Sequence, residues 1–196
     1  MTKSVPNYLI IGNGRLGRHL CHYMQLLQLP FLHWHRGLDH TQLNTLVSKA
    51  THIIVAINDD VIESFINMLP LNNQHVIHCS AALNTDAAFS AHPLHTFNNE
   101  LYTLADYLKI PFIIDAAGPC FAELLPGLPN PHYHIDASQK AYYHALCVMA
   151  NNFTTLLWQK AFNEFKAQLN IESHALFPLL ERTVTNLQND YTTALT

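Results

Sequence analysis

The stretch that decides the fold reads Tyr8-Leu9-Ile10-Ile11-Gly12-Asn13-Gly14-Arg15-Leu16-Gly17-Arg18. Four apolar residues stop at a glycine-rich turn, and from Leu16 the apolar positions Leu20, Tyr23, Met24 and Leu27 recur at helical spacing. This is a strand, a tight turn and a helix. In the pattern Gly12-x-Gly14-x-x-Gly17 the first glycine permits the turn, the second lets the backbone approach a pyrophosphate, and the third lets helix and strand pack closely. The helix N-terminus adds N–H groups and a dipole that favour an anion. Three glycines alone match many unrelated turns; the strand before them and the helix after them make the pattern a dinucleotide site.

Outward from this unit the cycle repeats. Pro30 closes the first helix and Phe31 to His35 reads as a second strand. Thr41 to Ala50 suits a helix, and Thr51 to Ile57 is a continuous apolar strand of the kind buried on both faces of a parallel sheet. Asn58-Asp59-Asp60 can cap a helix from Val61 to Leu69; His75 to Cys79 and Pro111 to Asp115 read as strands, with a helix over Asn99 to Leu108 between them. Alternation at this period predicts a parallel sheet over residues 1–118. Pro119, Pro126, Pro129 and Pro131 then break the pattern, and residues 119–135 read as a hinge. Residues 136–196 read as a small all-α domain: a helix of about 30 residues, about 45 Å long at 1.5 Å per residue, capped by Asp136 or Ser138, then a helix from Glu172 to about Ala194 with Pro178 in an early turn or at a kink. Two helices this thin call for a partner surface, and a homodimer through them is the expectation.

Composition limits the function. With only 12% charged residues and 49% hydrophobic ones the chain is not of the disordered class. The net charge of −4 argues against a general nucleic-acid binder, but it is unevenly spread. Lys3, Arg15, Arg18 and Arg36 give residues 1–38 a net +4 with no acid, whereas residues 39–196 carry −8. A compact anion near the N-terminal segment fits this distribution. Cys21, Cys79, Cys120 and Cys147 form no C-x-x-C pair, which suits a reducing cytoplasm. No apolar run reaches membrane-spanning length and no leader-like segment opens the chain, so no membrane partner is expected. The pairs His33/His35 and His132/His134 lack further ligands at metal spacing, so no metal is expected.

The cofactor can be narrowed further. An NAD site places a carboxylate at the end of the second strand, on the ribose 2′-hydroxyl. Here His33-Trp34-His35-Arg36-Gly37 stands there, with no acid before Asp39. Arg36 suits a 2′-phosphate instead, which favours NADP(H) over NAD(H). Asn13, Arg15 and Leu16 complete the glycine turn, Arg18 is a further candidate for the phosphates or ribose, and Ala56, Ile57 and Asn58, ending the third strand, should flank a ribose.

With LIIGNGRLGRHL at 9–20, VAINDDVI at 55–62, HVIHCSAAL at 75–83, HPLHTF at 92–97 and YHALCVMANNF at 143–153, the chain resembles the NADP-binding Rossmann-type proteins of the 6-phosphogluconate dehydrogenase-like superfamily. The likeness is greatest to a family with a Rossmann-like domain followed by a helical domain of unknown function. The fold expected is thus α/β, a Rossmann-type parallel sheet followed by a small all-α domain. Superfamily members include 3-hydroxyacid dehydrogenases, pyrroline-5-carboxylate reductase and ketopantoate reductases, so the resemblance implies reduction of a small oxo acid or an imine.

Such a reaction needs a proton donor and a group that polarises the acceptor. At 100° per residue Lys140, His144 and Asn151 share one stripe of the long helix, with Asn152 beside it. The resemblance singles out His144 as general acid and Asn152 as an orienting donor, while the helical wheel alone favours Asn151 equally. Ser80, just past the HVIHC strand, is a candidate for the nicotinamide amide or the substrate, and His92 and His95 lie in a connection expected beside it. Only some 60 residues follow the hinge, which keeps a second reading open: a non-catalytic NADP-binding sensor or interaction protein.

Overall fold

The computed structural model describes residues 6–194. Lys3 lies outside them. The strands are β1 (Tyr8–Ile11), β2 (Phe31–Trp34), β3 (His52–Val55), β4 (His75–His78), β5 (Phe89–Pro93), β6 (Phe112–Asp115) and β7 (His132–Ile135), in one sheet of order β2-β1-β3-β4-β5-β6-β7. Parallel pairing holds from β2 to β5, and β1 and β3 are buried along their whole length, as the apolar runs Tyr8–Ile11 and, after His52, Ile53 to Val55 favour.

Helices cover both faces. On one, α1 (Arg15–Leu26) buries Leu20, Tyr23 and Met24 against Ile10, Ile54 and Ile77. On the other, α2 (His40–Lys49) and α3 (Asp59–Ile66) bury Leu43, Val47, Ile62 and Ile66 against Leu9, Ile11 and Val55. Asp39 caps α2 by accepting from the Thr41 N–H at 2.9 Å, and Asp59 and Asp60 suit the positive end of the α3 dipole.

The sheet departs from the expectation at its far side. β6 runs antiparallel to β5, and the connection between them holds no full crossover helix: α4 is a single turn, Leu104–Tyr107, rather than a helix from Asn99. The segment read as a hinge contains α5 (Phe121–Leu124) and edge strand β7. Its prolines serve turns instead of a linker: Pro119 precedes the Cys120 cap of α5, and the Pro131 carbonyl accepts from Phe112 N–H at 2.9 Å. The chain divides between His144 and Ala145, so the first compact unit takes in β7 and the start of the following helix.

That helix is not uniform. After a 3₁₀ turn, Ala137–Gln139, α6 (Lys140–Val148) leads into a π-helical turn, Met149–Phe153, and then α7 (Thr154–Leu169). In the second unit Asn170, in the left-handed region at φ 53°, ends α7, and a 3₁₀ turn, Ser173–Leu176, leads into α8 (Phe177–Asn189) with Pro178 in its first turn. Phe162 packs edge-on to Phe177, 5.9 Å between centroids. Among the described residues no helix is long and apolar enough to cross a membrane.

Candidate nucleotide and reaction site

The three glycines do different work. Gly12 has φ +123°, and a Cβ there would lie 2.2 Å from the Ala56 carbonyl oxygen. At Gly17 a Cβ would meet the Gly12 oxygen at 2.3 Å. Neither position accepts a side chain. Gly14 is the exception: its φ is −69°, which any residue adopts, and a Cβ there meets nothing within 4 Å. What glycine preserves at this position is open space, directly before the first turn of α1, where no acid and no side-chain cap competes for the N–H groups.

Ala56 and Ile57 pack against the turn. Ala56 N–H donates to the Ile11 carbonyl at 2.8 Å, and an Ile57 methyl lies 3.4 Å from the Gly12 Cβ position. Asn58 is the N-cap residue of α3, its side chain not engaged in the cap. Asn13 and Arg15 are exposed on the turn and Leu16 is half-buried. His33 has a role the sequence did not reveal: its Nε2–H donates to the Gly12 carbonyl at 2.8 Å.

Arg36 is exposed just beyond β2. Asp39, the first carboxylate after it, caps α2, one oxygen accepting from Thr41 N–H and the other from Thr41 Oγ1 at 2.7 Å. Arg18 donates to Asn99 Oδ1 at 3.0 Å.

The candidates for chemistry separate into groups. Ser80 is buried and its hydroxyl is fully used: it donates to Asp59 and accepts from the N–H groups of Ala82 and Leu83 at 3.3 and 3.0 Å. One donor and two lone pairs leave nothing for a ligand. Lys140 is 3% exposed; its ammonium lies 2.6 Å from Asp115 Oδ1, without hydrogen-bond geometry to that oxygen, and donates to the Leu83 carbonyl at 3.1 Å. It therefore ties the first turn of α6 to the sheet. His95 is exposed, packs against Phe97 and Tyr102, and borders an open cleft of about 340 Å³ with Asp106 and Lys109. Asn152 sits in the π turn, its Oδ1 accepting from Asn151 at 3.0 Å, so a wheel drawn at 100° per residue does not hold where these asparagines stand.

His92 lies within β5, where the sequence suggested an irregular connection following Ser80. Its Nδ1 is 2.7 Å from Tyr143 Oη, and burial, with His144 nearby, lowers its pKa to about 4. His78 pairs in register with Ser90, whose N–H donates to Asp115 Oδ2 at 2.7 Å. A polar row thus crosses the sheet where β1 and β3 are apolar. His78 is fully buried; Nδ1 accepts from Ser80 N–H at 3.2 Å while Nε2 has no partner, and burial followed by the Lys140 charge lowers its pKa to about 4. Asp59, His78, Asp115 and Tyr143 were not singled out from the sequence: their partners are too distant in the chain for any local pattern to reveal. Among the described residues no group of three His, Cys, Asp or Glu is arranged to hold a metal ion.

Comparison with solved structures decides the fold class. The chain superposes on a Bacteroides fragilis protein assigned as an NADP oxidoreductase with a TM-score of 0.74, at 18% identity, covering 97% of this chain and 84% of that one. The fold is of the Rossmann type. A reductive aminase from Aspergillus terreus, in complex with NADPH and ethyl levulinate, matches with a TM-score of 0.71 at 11% identity over 95% of this chain and 74% of its own. Pyrroline carboxylate reductase from Plasmodium falciparum, with NADP bound, gives 0.62 at 11% identity over 93% and 79%. At these identities the likeness shows the Rossmann-type fold alone. The family model for a domain of unknown function (DUF2520) matches residues 110–196. No curated protein matches the sequence.

Proposed function

We propose that this chain is an NADP(H)-dependent oxidoreductase of the class acting on CH–OH or CH–NH groups, reducing a small oxo acid or an imine. The observation that carries the reading is the glycine turn: two glycines closed by backbone on either side of one that faces open space at a helix N-terminus. That arrangement fits a pyrophosphate, held by the N–H groups of Gly14, Arg15, Leu16 and Gly17. Arg36 would take a 2′-phosphate, since it is exposed just beyond β2, where a site for a 2′-hydroxyl would place a carboxylate. The NADP- and NADPH-bound reductases of like fold support the same choice. When bound, the reduced cofactor supplies a hydride; the proton must come from the protein. The start of α6 presents two donors in adjacent positions, exposed His144 and half-buried Tyr143.

Titration of protein fluorescence with NADPH and NADH tests the reading. NADPH should bind at least about tenfold tighter, and Arg36→Ala should remove most of that preference, because a charge-assisted contact is worth about 1.5–3 kcal/mol. Equal affinity for the two, or none for either, refutes the cofactor assignment. Binding without reduction of any oxo acid or imine would favour the sensor. We further propose that two copies pair through the second unit. Its helices α7 and α8 bury no residue within the chain, and Leu156, Leu157, Leu179 and Leu187 are exposed.

A further inference from the structure

We infer that Tyr143 is the proton donor of the reduction and that His92 is its positioning residue. The inference rests on the reductase reading above. His92 Nδ1 and Tyr143 Oη, 51 residues apart in sequence, stand 2.7 Å from each other, and the two rings meet edge to face, 5.7 Å between centroids at 76°. Both partners are half-buried. Their location is fixed from two sides. His92 is one residue from the end of β5, which runs parallel to β1, β3 and β4, and so belongs to the edge at which sheets of this kind hold ligands. Tyr143 is held by its helix: Lys140, one turn earlier on the same face, is locked into the sheet by Asp115 and the Leu83 carbonyl.

The groups around the pair make the assignment of roles. Asp59, His78 and His144 are the charged or titratable neighbours that His92 senses. Burial outweighs Asp59 and leaves the imidazole uncharged at neutral pH, so His92 itself has no spare proton to give. An uncharged imidazole can still donate one N–H. In the reaction the Oη–H bond of Tyr143 breaks, an O–H or N–H bond forms on the reduced substrate, and the phenolate left behind accepts a hydrogen bond from Nδ1–H of His92. Solvent then returns the proton to Oη. The sum is one hydride and one proton added across the C=O or C=N bond. His144, one residue on, is exposed, and a donor in water lacks the fixed geometry this step needs.

The test compares Tyr143→Phe, His92→Asn, His92→Leu and His144→Ala with Tyr142→Phe, a control at the neighbouring exposed tyrosine. NADPH oxidation is followed with pyruvate, ketopantoate and 1-pyrroline-2-carboxylate, and the histidine ring nitrogens are observed by NMR. Tyr143→Phe should lower kcat by about 100-fold or more, with KM and the NADPH Kd changed less than about threefold. It should also shift the His92 Nδ1 resonance, which Tyr142→Phe should not. His92→Asn, which keeps an N–H near the Nδ1 position, should retain more activity than His92→Leu. Turnover that survives Tyr143→Phe, or that is lost only in His144→Ala, overturns this assignment while leaving the reductase intact. NADPH binding without turnover of any of the three compounds by the unaltered protein overturns both.

Discussion

Gly12→Ala and Gly14→Ala differ by two positions in one turn, and the structure demands opposite outcomes for them. At Gly12 the new methyl would sit 2.2 Å from the Ala56 carbonyl oxygen and the backbone would be held at φ +123°. The conformation alone costs about 1–3 kcal/mol, and relieving the overlap costs about 1–3 kcal/mol more. A loss near the middle of that range lowers Tm by about 8–16 °C in a chain of this size. At Gly14 the methyl meets nothing within 4 Å and φ is −69°, so stability should stay within about 0.5 kcal/mol or rise slightly. The same methyl would occupy the space in which a pyrophosphate approaches the backbone, and the loss of even one N–H bond to a charged oxygen weakens binding by about tenfold or more. Thermal melting without ligand separates the two variants. Fluorescence titration with NADPH, reporting through Trp34 at the end of β2, reads the second effect. Gly14→Ala that melts like the unaltered protein and binds NADPH equally well would refute the argument that this space belongs to a ligand.

Lys140→Met should cost about 3–5 kcal/mol in urea unfolding, because it strands the Asp115 carboxylate, while Lys140→Met with Asp115→Leu should recover much of that loss; a single variant within about 1 kcal/mol of the starting protein would show that the pair does not anchor α6. Acid should destabilise the fold well above the carboxylate range. His78 titrates near 4 when folded against 6.5 when unfolded, so the unfolded chain takes its proton first as pH falls below 6.5. From that difference about 2 kcal/mol is lost by pH 5 and about 3 kcal/mol by pH 4. His92 adds in the same direction, and urea unfolding that is flat between pH 7.5 and 5 would contradict both burials. Light scattering after size exclusion should give twice the chain mass, and Leu156→Glu with Leu187→Glu should halve it; a monomeric unaltered protein removes the proposed pairing.

The division between what the sequence disclosed and what it hid follows the range of the interactions. The glycine turn was legible because its determinants are local: three residues within six positions, each with a steric reason, on an apolar run that reads as a buried parallel strand. The reversal of β6 was not, since FIID has the same apolar pattern in either direction and only the course of the preceding connection decides. The π turn was hidden too: MANNF carries no glycine or proline to mark it, yet it breaks the period on which the stripe of Lys140, His144 and Asn151 was drawn.

The catalytic stripe assigned to α6 shows why this matters for function. A helical wheel groups Lys140 with His144, but it cannot show that Lys140 spends its charge on Asp115 and a carbonyl 57 residues away, or that Tyr143 meets a histidine on β5. Ser80 stands two residues past the end of β4 and yet its hydroxyl has no hydrogen-bonding capacity left, because Asp59 and two backbone N–H groups use all of it. Position at the ligand-binding edge is therefore a property that the order of strands can supply, whereas availability for chemistry depends on which valences neighbours from other elements have already taken. The open space at Gly14 and the contact between Tyr143 and His92 carry the functional argument, and Lys140 and Ser80 hold the frame in which they stand.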